Sequence, residues 1–538
     1  MTGNIDKGEG DSNNAAADSG IPFNAWKILA ILSCISIMVL YAETMLIPAI
    51  PHNIDEFNIT YGTSSWILSS YLIAGAVSVP VAGKLSDMYG RKKILLLVLI
   101  IYTAGVVGAA FSVDIHSLLI SRTVQGVGLS VFPIVFAIVQ DEFPRNKIAI
   151  AQGTLASMFA FGGVLGLVVG GNIIEYFGWK ATFYSVAPVA VLLIIIIIKQ
   201  VHVKDSSQGS HTLIQQRKQF FYGNEKEGDD DDDSAEKRTN LPNTVKGGLA
   251  RLDIKGVIFL VITITSFLSA LTLVQTSSSS PSSPSTGNTI SHDWQLAILA
   301  FLGSASLVVF IFVEKRSSSP IVDFKLISKK PVLLSNMLVI IWGICTFAIF
   351  QTIPILVQSP VQAGGLGGNA VNAANIQLPF SITSLIFGPT SGFIISKIGS
   401  PRVTIIGALV MTCGFFLMLV LSTNVIHLVT ALAVIGIGLS LLNVGQLNVN
   451  SISVSPRLIG TSLGINTLLR YIGSAIGPVI AGMLMQSNQT VINVTGNMPK
   501  SFPSGQSYGF IFAVSLALSV IAIILSVKIL QIKKWDQK

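Results

Sequence analysis

Fourteen apolar runs of roughly twenty residues, each long enough to cross a bilayer, leave this chain little choice of fold. They lie near residues 26–48, 62–82, 94–113, 117–140, 150–174, 180–199, 254–275, 294–314, 333–357, 373–396, 403–422, 427–450, 459–486 and 509–532. Hydrocarbon offers no partner to a backbone polar group, so runs of this kind must satisfy their hydrogen bonds internally, as helices. Of the 538 residues 51% are hydrophobic and 11% charged, far below the charge of about 25% that soluble domains carry. The sequence reads as an all-α integral membrane protein with fourteen transmembrane helices.

An even number of helices puts both termini on one side, and the placement of Lys and Arg decides which. With the termini inside, the outward loops hold Lys180 and Lys500, while Arg122 and Arg470 fall within runs; the other thirty of the 34 cations face the cytoplasm, a strong positive-inside bias. The expectation is a multi-pass protein of the cell membrane with cytoplasmic N- and C-termini. Because the basic residues collect in short loops, the net charge of +8 is no signal for nucleic acid. Cys34, Cys345 and Cys413 lie inside apolar runs with no spacing for a metal site or disulfide framework. The first twenty residues lack an apolar stretch and cleavage site, so no removable signal peptide is expected.

The expected organisation is a cytoplasmic tail (1–25), a six-helix half (26–199), a disordered cytoplasmic linker (200–253), an inserted helix pair 7–8 with its following loop (254–332), a second six-helix half (333–532) and a short tail (533–538). The linker carries the acidic run Asp229 to Asp233 and mixed charge, the composition of a solvated tether. Outward acceptor triplets for glycosylation begin at Asn58, Asn488 and Asn493.

Between runs 2 and 3 stands Gly83-Lys84-Leu85-Ser86-Asp87-Met88-Tyr89-Gly90-Arg91-Lys92-Lys93. Gly90 can take the positive φ of a tight reversal, and a carboxylate such as Asp87 among cations suits a breakable ion pair. The stretch from Pro80 to Gly90 returns from Pro389 to Gly399, an offset of 309, with Ser396 in the place of Asp87. Independently, Gly162, Gly166, Gly170 and Gly171 in run 5 are echoed by Gly473, Gly477 and Gly482 in run 13, at an offset of 311. Two echoes at nearly one offset argue for homologous halves, runs 1–6 and 9–14, with runs 7 and 8 inserted.

Two cations and one acid lie deep inside runs. Glu43 stands about five residues before Pro48 and Arg122 about six after His116, so both sit ~8–9 Å from one membrane surface. At matching depth they are natural partners, since an unpaired charge in hydrocarbon costs at least a few kcal/mol. Arg470 lies near the midplane with no acid in its own half; it can meet Glu43 across a cavity, bind anionic cargo or hydrogen-bond carbonyls. Gln351, Gln377, Asn443 and Gln446, with Asn448, add polar groups to the second half, as cavity lining or as interhelical hydrogen-bonding groups.

The loop from Gly83 to Lys93 resembles the cytoplasmic loop motif between helices 2 and 3 of the major facilitator superfamily, and Arg122, Gln125 and Gly126 resemble its R-x-x-Q-G motif in helix 4. The glycines from Gly162 to Gly171 resemble the helix 5 motif of its exporters, with Leu167 replacing a proline. Gly178-Trp179-Lys180-Ala181-Thr182-Phe183, the segment Glu314…Pro320…Asp323-Phe324 and the fourteen-helix layout are similar to its drug:proton antiporter family 2. Helix 1 departs from that family, which has an aspartate where Ala42 stands and an asparagine where Ile47 stands; Glu43 projects about 100° away from position 42.

The resemblance implies the major-facilitator fold and a monomeric secondary transporter in the lipid bilayer. Its partners would be a small-molecule substrate and protons, its energy source a proton gradient rather than a cofactor. Glu43 is then the expected proton carrier and Arg122 its partner. Asp87, Arg91, Lys92 and Lys93, with Asp141 and Glu142 at the inner end of helix 4, form a cytoplasmic gate, and Arg470 with the polar residues above lines a substrate cavity. The expectation is a proton-coupled exporter of small, drug-like molecules. A metabolite or ion transporter on the same scaffold, and a non-transporting receptor or scaffold, are the alternatives. The sequence shows no nucleotide-binding loop, metal cluster or nucleophile–base set, so an enzyme is not expected.

Overall fold

The computed structural model describes residues 22–144, 147–201, 254–278, 289–317, 322–421, 424–455, 458–492 and 499–535. Most of the expected linker, the tails 1–21 and 536–538, and the acceptor triplet at Asn493 lie outside them. Among the described residues thirteen helices are long and apolar enough to cross a membrane. They are spans 1 (Phe23–Phe57), 2 (Tyr61–Tyr89), 3 (Arg91–Ala110), 4 (Ile115–Glu142), 5 (Ile150–Phe177) and 6 (Lys180–Gln200), then 8 (Trp294–Arg316), 9 (Lys330–Gln358), 10 (Ala370–Ile398), 11 (Ser400–Leu421), 12 (Val425–Ile452), 13 (Ile459–Ser487) and 14 (Gly505–Ile532). Run 7 is the helix Ile254–Ser278, whose described apolar stretch, Lys255–Ala270, falls short of that length. Span 7 packs on span 8, where Ser306 Oγ donates to Phe259 O at 2.8 Å, and against spans 2 and 13.

Corresponding turns share one backbone. Gly90 ends span 2 at φ 98° and Gly399 ends span 10 at φ 84°, the left-handed region that a side chain rarely enters. At the opposite ends, Thr60 and Asn369 cap spans 2 and 10, accepting from Thr63 N (3.1 Å) and Asn372 N (2.9 Å). Asp114 and Asn424 cap spans 4 and 12, accepting from Ser117 N (2.7 Å) and Ile426 N (3.0 Å). These pairs are 309 or 310 residues apart, so the repeat seen in the glycines extends to the helix caps.

The glycines of span 5 set its contacts. Gly162, Gly166 and Gly170 lie against the backbone of Ile37, Tyr41 and Met45 in span 1, while Gly171 meets Ala370 and Ala374 of span 10. In the second half Gly473 and Gly477 lie against Ile340 and Ile344 of span 9, and Gly482 meets Tyr61 of span 2. Each half thus clamps its own first helix with two or three glycines and reaches across with the last. The shared partners also align the first helices: Ile37 with Ile340 and Tyr41 with Ile344, an offset of 303.

The molecule has two unlike faces. One carries the turns at Gly90 and Gly399. The other carries a feature absent from the sequence reading, an antiparallel hairpin of β1 (Gln489–Ile492) and β2 (Lys500–Pro503). Bonds joining the halves gather toward the hairpin face. Gln358 Nε2 donates to Pro48 O (2.9 Å), Gln351 Nε2 to Ser64 Oγ (3.0 Å), Tyr61 N to Gln486 Oε1 (3.2 Å) and Ala370 N to Glu175 Oε2 (3.2 Å). The hairpin adds to the closure, with Tyr61 Oη donating to Ser501 O (3.3 Å) and Lys500 pairing with Asp55 (3.1 Å). Toward the Gly90 face the same helices stand apart: a Cβ at Gly83, Gly153, Gly388, Gly392, Gly460 or Gly464 would meet open space. The halves are therefore joined by direct bonds at the hairpin face, while these glycines leave room between helices toward the Gly90 face.

Candidate functional site

Arg122 is fully buried in span 4. Its Nε donates to Ile67 O (3.2 Å), and its Nη1 to Ala42 O (3.3 Å) and Gln125 Oε1 (2.8 Å), while Cζ lies 4.3 Å from the Tyr71 ring centroid. The R-x-x-Q-G spacing explains the geometry. Gln125, three residues on, faces the guanidinium, and Gly126 lets span 4 close on the Tyr71 carbonyl. Beyond Gly126 the helix tightens to 3-10 geometry over Val127–Ser130.

Glu43 is buried to 8% exposure yet has no ion-pair partner within 4.0 Å among the described residues. The matching depth read from the sequence thus brings Arg122 beside Glu43 without pairing them: the guanidinium takes the carbonyl of the preceding residue, Ala42. Arg470, of the second half, and Arg122 both lie near enough for their charges to act on the Glu43 carboxylate. Tyr71 and Tyr471 also lie near Glu43, and the Tyr71 hydroxyl is buried without a hydrogen-bond partner among the described residues.

Arg470 is ringed by aromatic faces. Its Cζ lies 4.8 Å from the Tyr471 ring centroid and 5.9 Å from those of Trp342 and Phe132. Trp342 belongs to span 9 and Phe132 to span 4, so the ring includes both halves. Ser69 Oγ, in span 2, donates to Ala475 O (2.7 Å) one turn beyond Tyr471 and fixes span 2 against span 13. Phe132 is held in turn by Phe159, stacked at 3.6 Å between centroids.

The polar residues expected in the cavity divide. Gln351 is spent on Ser64, whereas both amide atoms of Gln377 are buried without partners. Gln446 and Asn443 belong to a neutral network toward the Gly90 face. In it Ser335 Oγ donates to Gln446 Oε1 (2.8 Å), Asn466 Nδ2 to Asn336 Oδ1 (2.9 Å) and Gln446 Oε1 (3.1 Å), and Ser462 Oγ to Asn450 Oδ1 (2.5 Å). Asn443 Oδ1 accepts from Gln446 Nε2 at 3.3 Å. Asn336, Asn450, Asn466 and Ser462 escaped the sequence reading, although Ser462, Asn466 and Arg470 follow at four-residue spacing on one helix face.

At the Gly90 face Arg91 pairs with Asp141 and donates to Ala137 O. Lys92 Nζ donates to Ile198 O (3.2 Å), and Lys93 is exposed. Asp87 is exposed and makes no hydrogen bond or ion pair with the described residues, and Glu142 Oε1 is buried without a partner. The motif is thus half engaged: the arginine is held and the aspartate is free.

Three comparisons bear on this arrangement. A family model described as Major Facilitator Superfamily matches residues 32–478 and 369–534. The chain is 25% identical over 427 residues to the multidrug transporter protein MdtP of Bacillus subtilis, covering 79% of this chain and 68% of that protein. It is 26% identical over 428 residues to multidrug resistance protein 3 of the same organism, covering 78% and 71%. Among solved structures, a partially occluded inward-open form of the xylose transporter XylE from E. coli superposes with a TM-score of 0.56 at 12% identity, covering 94% of this chain and 98% of that one.

Proposed function

The chain belongs to the major facilitator superfamily, and from that premise we propose that this multi-pass transporter exports small, drug-like molecules in exchange for protons entering the cell. The observation that carries the reading is a deeply buried acid, Glu43, without an ion-pair partner among the described residues, in a molecule whose halves are bonded together at one face and spaced apart at the other. The distribution of Lys and Arg supports a cytoplasmic Gly90 face in the cell membrane, and on that reading the present conformation is inward-open. The likeness to the two Bacillus multidrug proteins supports a drug-like cargo.

In this mechanism cargo enters from the cytoplasm and Glu43 gives up its proton there. A carboxylate moved between a watery and a closed cavity changes its affinity for protons, so alternating access turns one residue into a carrier. Arg122 holds spans 1, 2 and 4 in register around it. Arg91 stays paired with Asp141 while Asp87 waits; when the cytoplasmic face closes, Asp87 comes within reach of the second half and latches the outward-open state. At the hairpin face the seal that must then break includes the Gln358–Pro48, Tyr61–Gln486 and Lys500–Asp55 contacts. The test is flux into or out of reconstituted vesicles under an imposed pH gradient, screened with organic cations, anions and neutral lipophiles. Gradient-driven movement of any class supports transport by exchange; none across the panel favours a receptor or scaffold.

A further inference from the structure

We propose that the cavity is built for zwitterionic aromatic cargo, whose anionic end sits on Arg470, whose cationic end meets Glu43, and whose ring lies against Phe132 and Trp342. The proposal names the cargo class for the transport reading above and rests on it in placing the site between the halves.

The argument starts from what surrounds Arg470. A guanidinium inside a membrane protein ordinarily pairs with a carboxylate or with backbone carbonyls, as Arg122 does; no carboxylate lies within 4.0 Å of Arg470 among the described residues. Three ring faces lie around it instead, at 4.8, 5.9 and 5.9 Å. Aromatic faces stabilise a cation through their quadrupole without cancelling its charge. Arg470 is therefore held in place while keeping its power to attract an anion, and its planar fork suits a carboxylate. The same rings offer a flat apolar surface beside that charge.

The opposite wall supplies the complement. Glu43 belongs to the first half and Arg470 to the second, and Arg470 lies near enough for its charge to act on the Glu43 carboxylate. A chain of contacts links them: Arg122 joins Ala42 to Tyr71, Ser69 ties span 2 to Ala475, and Tyr471 stands beside Arg470. Together the acid and the cation make a neutral pair. A purely anionic cargo would leave Glu43 as an uncompensated charge unless it also took a proton, and a purely cationic one would do the same to Arg470. Stranding a charge in a dry cavity costs more than forming one new pair returns. A zwitterion compensates both. Its ammonium group also competes with the proton at Glu43, as exchange requires. Phe159 occupies the counterpart of Arg470 in the first half, 311 residues earlier, and stacks on Phe132. At this matched place the first half thus carries an aromatic ring where the second carries a charge.

The test uses the full chain in lipid nanodiscs and three probes that share one ring: naphthylalanine, naphthylpropionic acid and naphthylpropylamine. Calorimetry at neutral pH should rank the amino acid at least about tenfold tighter than either singly charged probe, a difference of about 1.4 kcal/mol. Arg470→Gln should erase that preference and leave the amine as the best ligand, and Arg470→Lys should keep part of it. Glu43→Gln should erase it from the other end and leave the acid probe as the best ligand. Phe132→Ala should weaken all three alike. Equal affinities in the wild type, binding by none, or an unchanged ranking in a monodisperse Arg470→Gln protein would overturn the proposal. Because binding is read without a gradient, its failure is separate from that of proton exchange: gradient-driven flux with an unranked trio removes the cargo class alone.

Discussion

The two six-helix halves share a backbone and differ in chemistry. Gly90 and Gly399 make the same left-handed turn, Gly162 and Gly473 press on the same place in their first helices, and Asp114 and Asn424 cap the same helix ends. At these matched places the first half carries acids where the second carries neutral polar groups. Asp87 is answered by Ser396, Asp114 by Asn424 and, through the offset of 303 set by the glycine contacts, Glu43 by Thr346. Arg122 falls opposite Ala431, Leu432 and Ala433. The lesson is that helix packing constrains the backbone of both halves alike, because glycine contacts tolerate no side chain. Ionisable groups are free to concentrate in one half, and the second keeps a single deep charge, Arg470.

The comparison breaks most visibly at Arg122. Arg122→Gln removes a guanidinium that ties Ile67, Ala42 and Gln125 together and leaves buried carbonyls unanswered, a loss of about 3 kcal/mol. It should lower the melting temperature and cut flux at least tenfold, whereas Ala431→Ser in the second half should change neither.

Next is the matched pair at the Gly90 turns. Asp87→Asn should leave the protein folded and slow the exchange between states by about tenfold, or about 1.4 kcal/mol on the barrier, read by cross-linking across the Gly90 face. Ser396→Ala should leave the exchange rate unchanged. Equal effects at both positions would show that the acid is not what distinguishes the copies.

A smaller effect is expected in the amide network. Asn466→Leu gives the second half the residue that Leu155 supplies in the first, and should cost about 1 kcal/mol in thermal stability with proton coupling kept. The smallest lies at the helix caps. The amide and hydroxyl of Ser117 hold the Asp114 carboxyl below the usual range. The folded pKa is depressed, so the cap's contribution is present above the unfolded value of about 3.9 and is lost as pH falls through the folded one. Hydrogen exchange at Ser117 should quicken in acid beyond the intrinsic pH trend, exchange at Ile426 under the Asn424 cap should not, and Asp114→Asn should abolish the difference.

Much of this architecture was legible in the chain. Apolar length fixes the spans, and the glycine echoes fix the pseudo-symmetry because close helix contact demands small residues at set spacing. The positive φ at Gly90 and Gly399 follows from the same reading. The pairing of Glu43 with Arg122 did not follow, because depth along two helices says nothing of rotation about them, and the guanidinium turns toward the Ala42 carbonyl instead. The ring of Phe132, Trp342 and Tyr471 around Arg470 was hidden for a related reason: its members come from three spans and look like ordinary core aromatics in sequence. The hairpin at Gln489–Pro503 was missed because its strands are four residues each and carry no strong alternation.

The central claim is that the first half's deep acid, Glu43, carries the proton. Its most direct test is the number of protons entering per cargo molecule leaving in vesicles, measured for the wild type, Glu43→Gln and Glu43→Asp. The account predicts gradient-driven accumulation for the wild type, partial coupling for the aspartate, and for the glutamine no accumulation against a gradient while downhill exchange of cargo persists. A Glu43→Gln protein that still concentrates cargo at the wild-type stoichiometry would contradict it and place the carrier elsewhere.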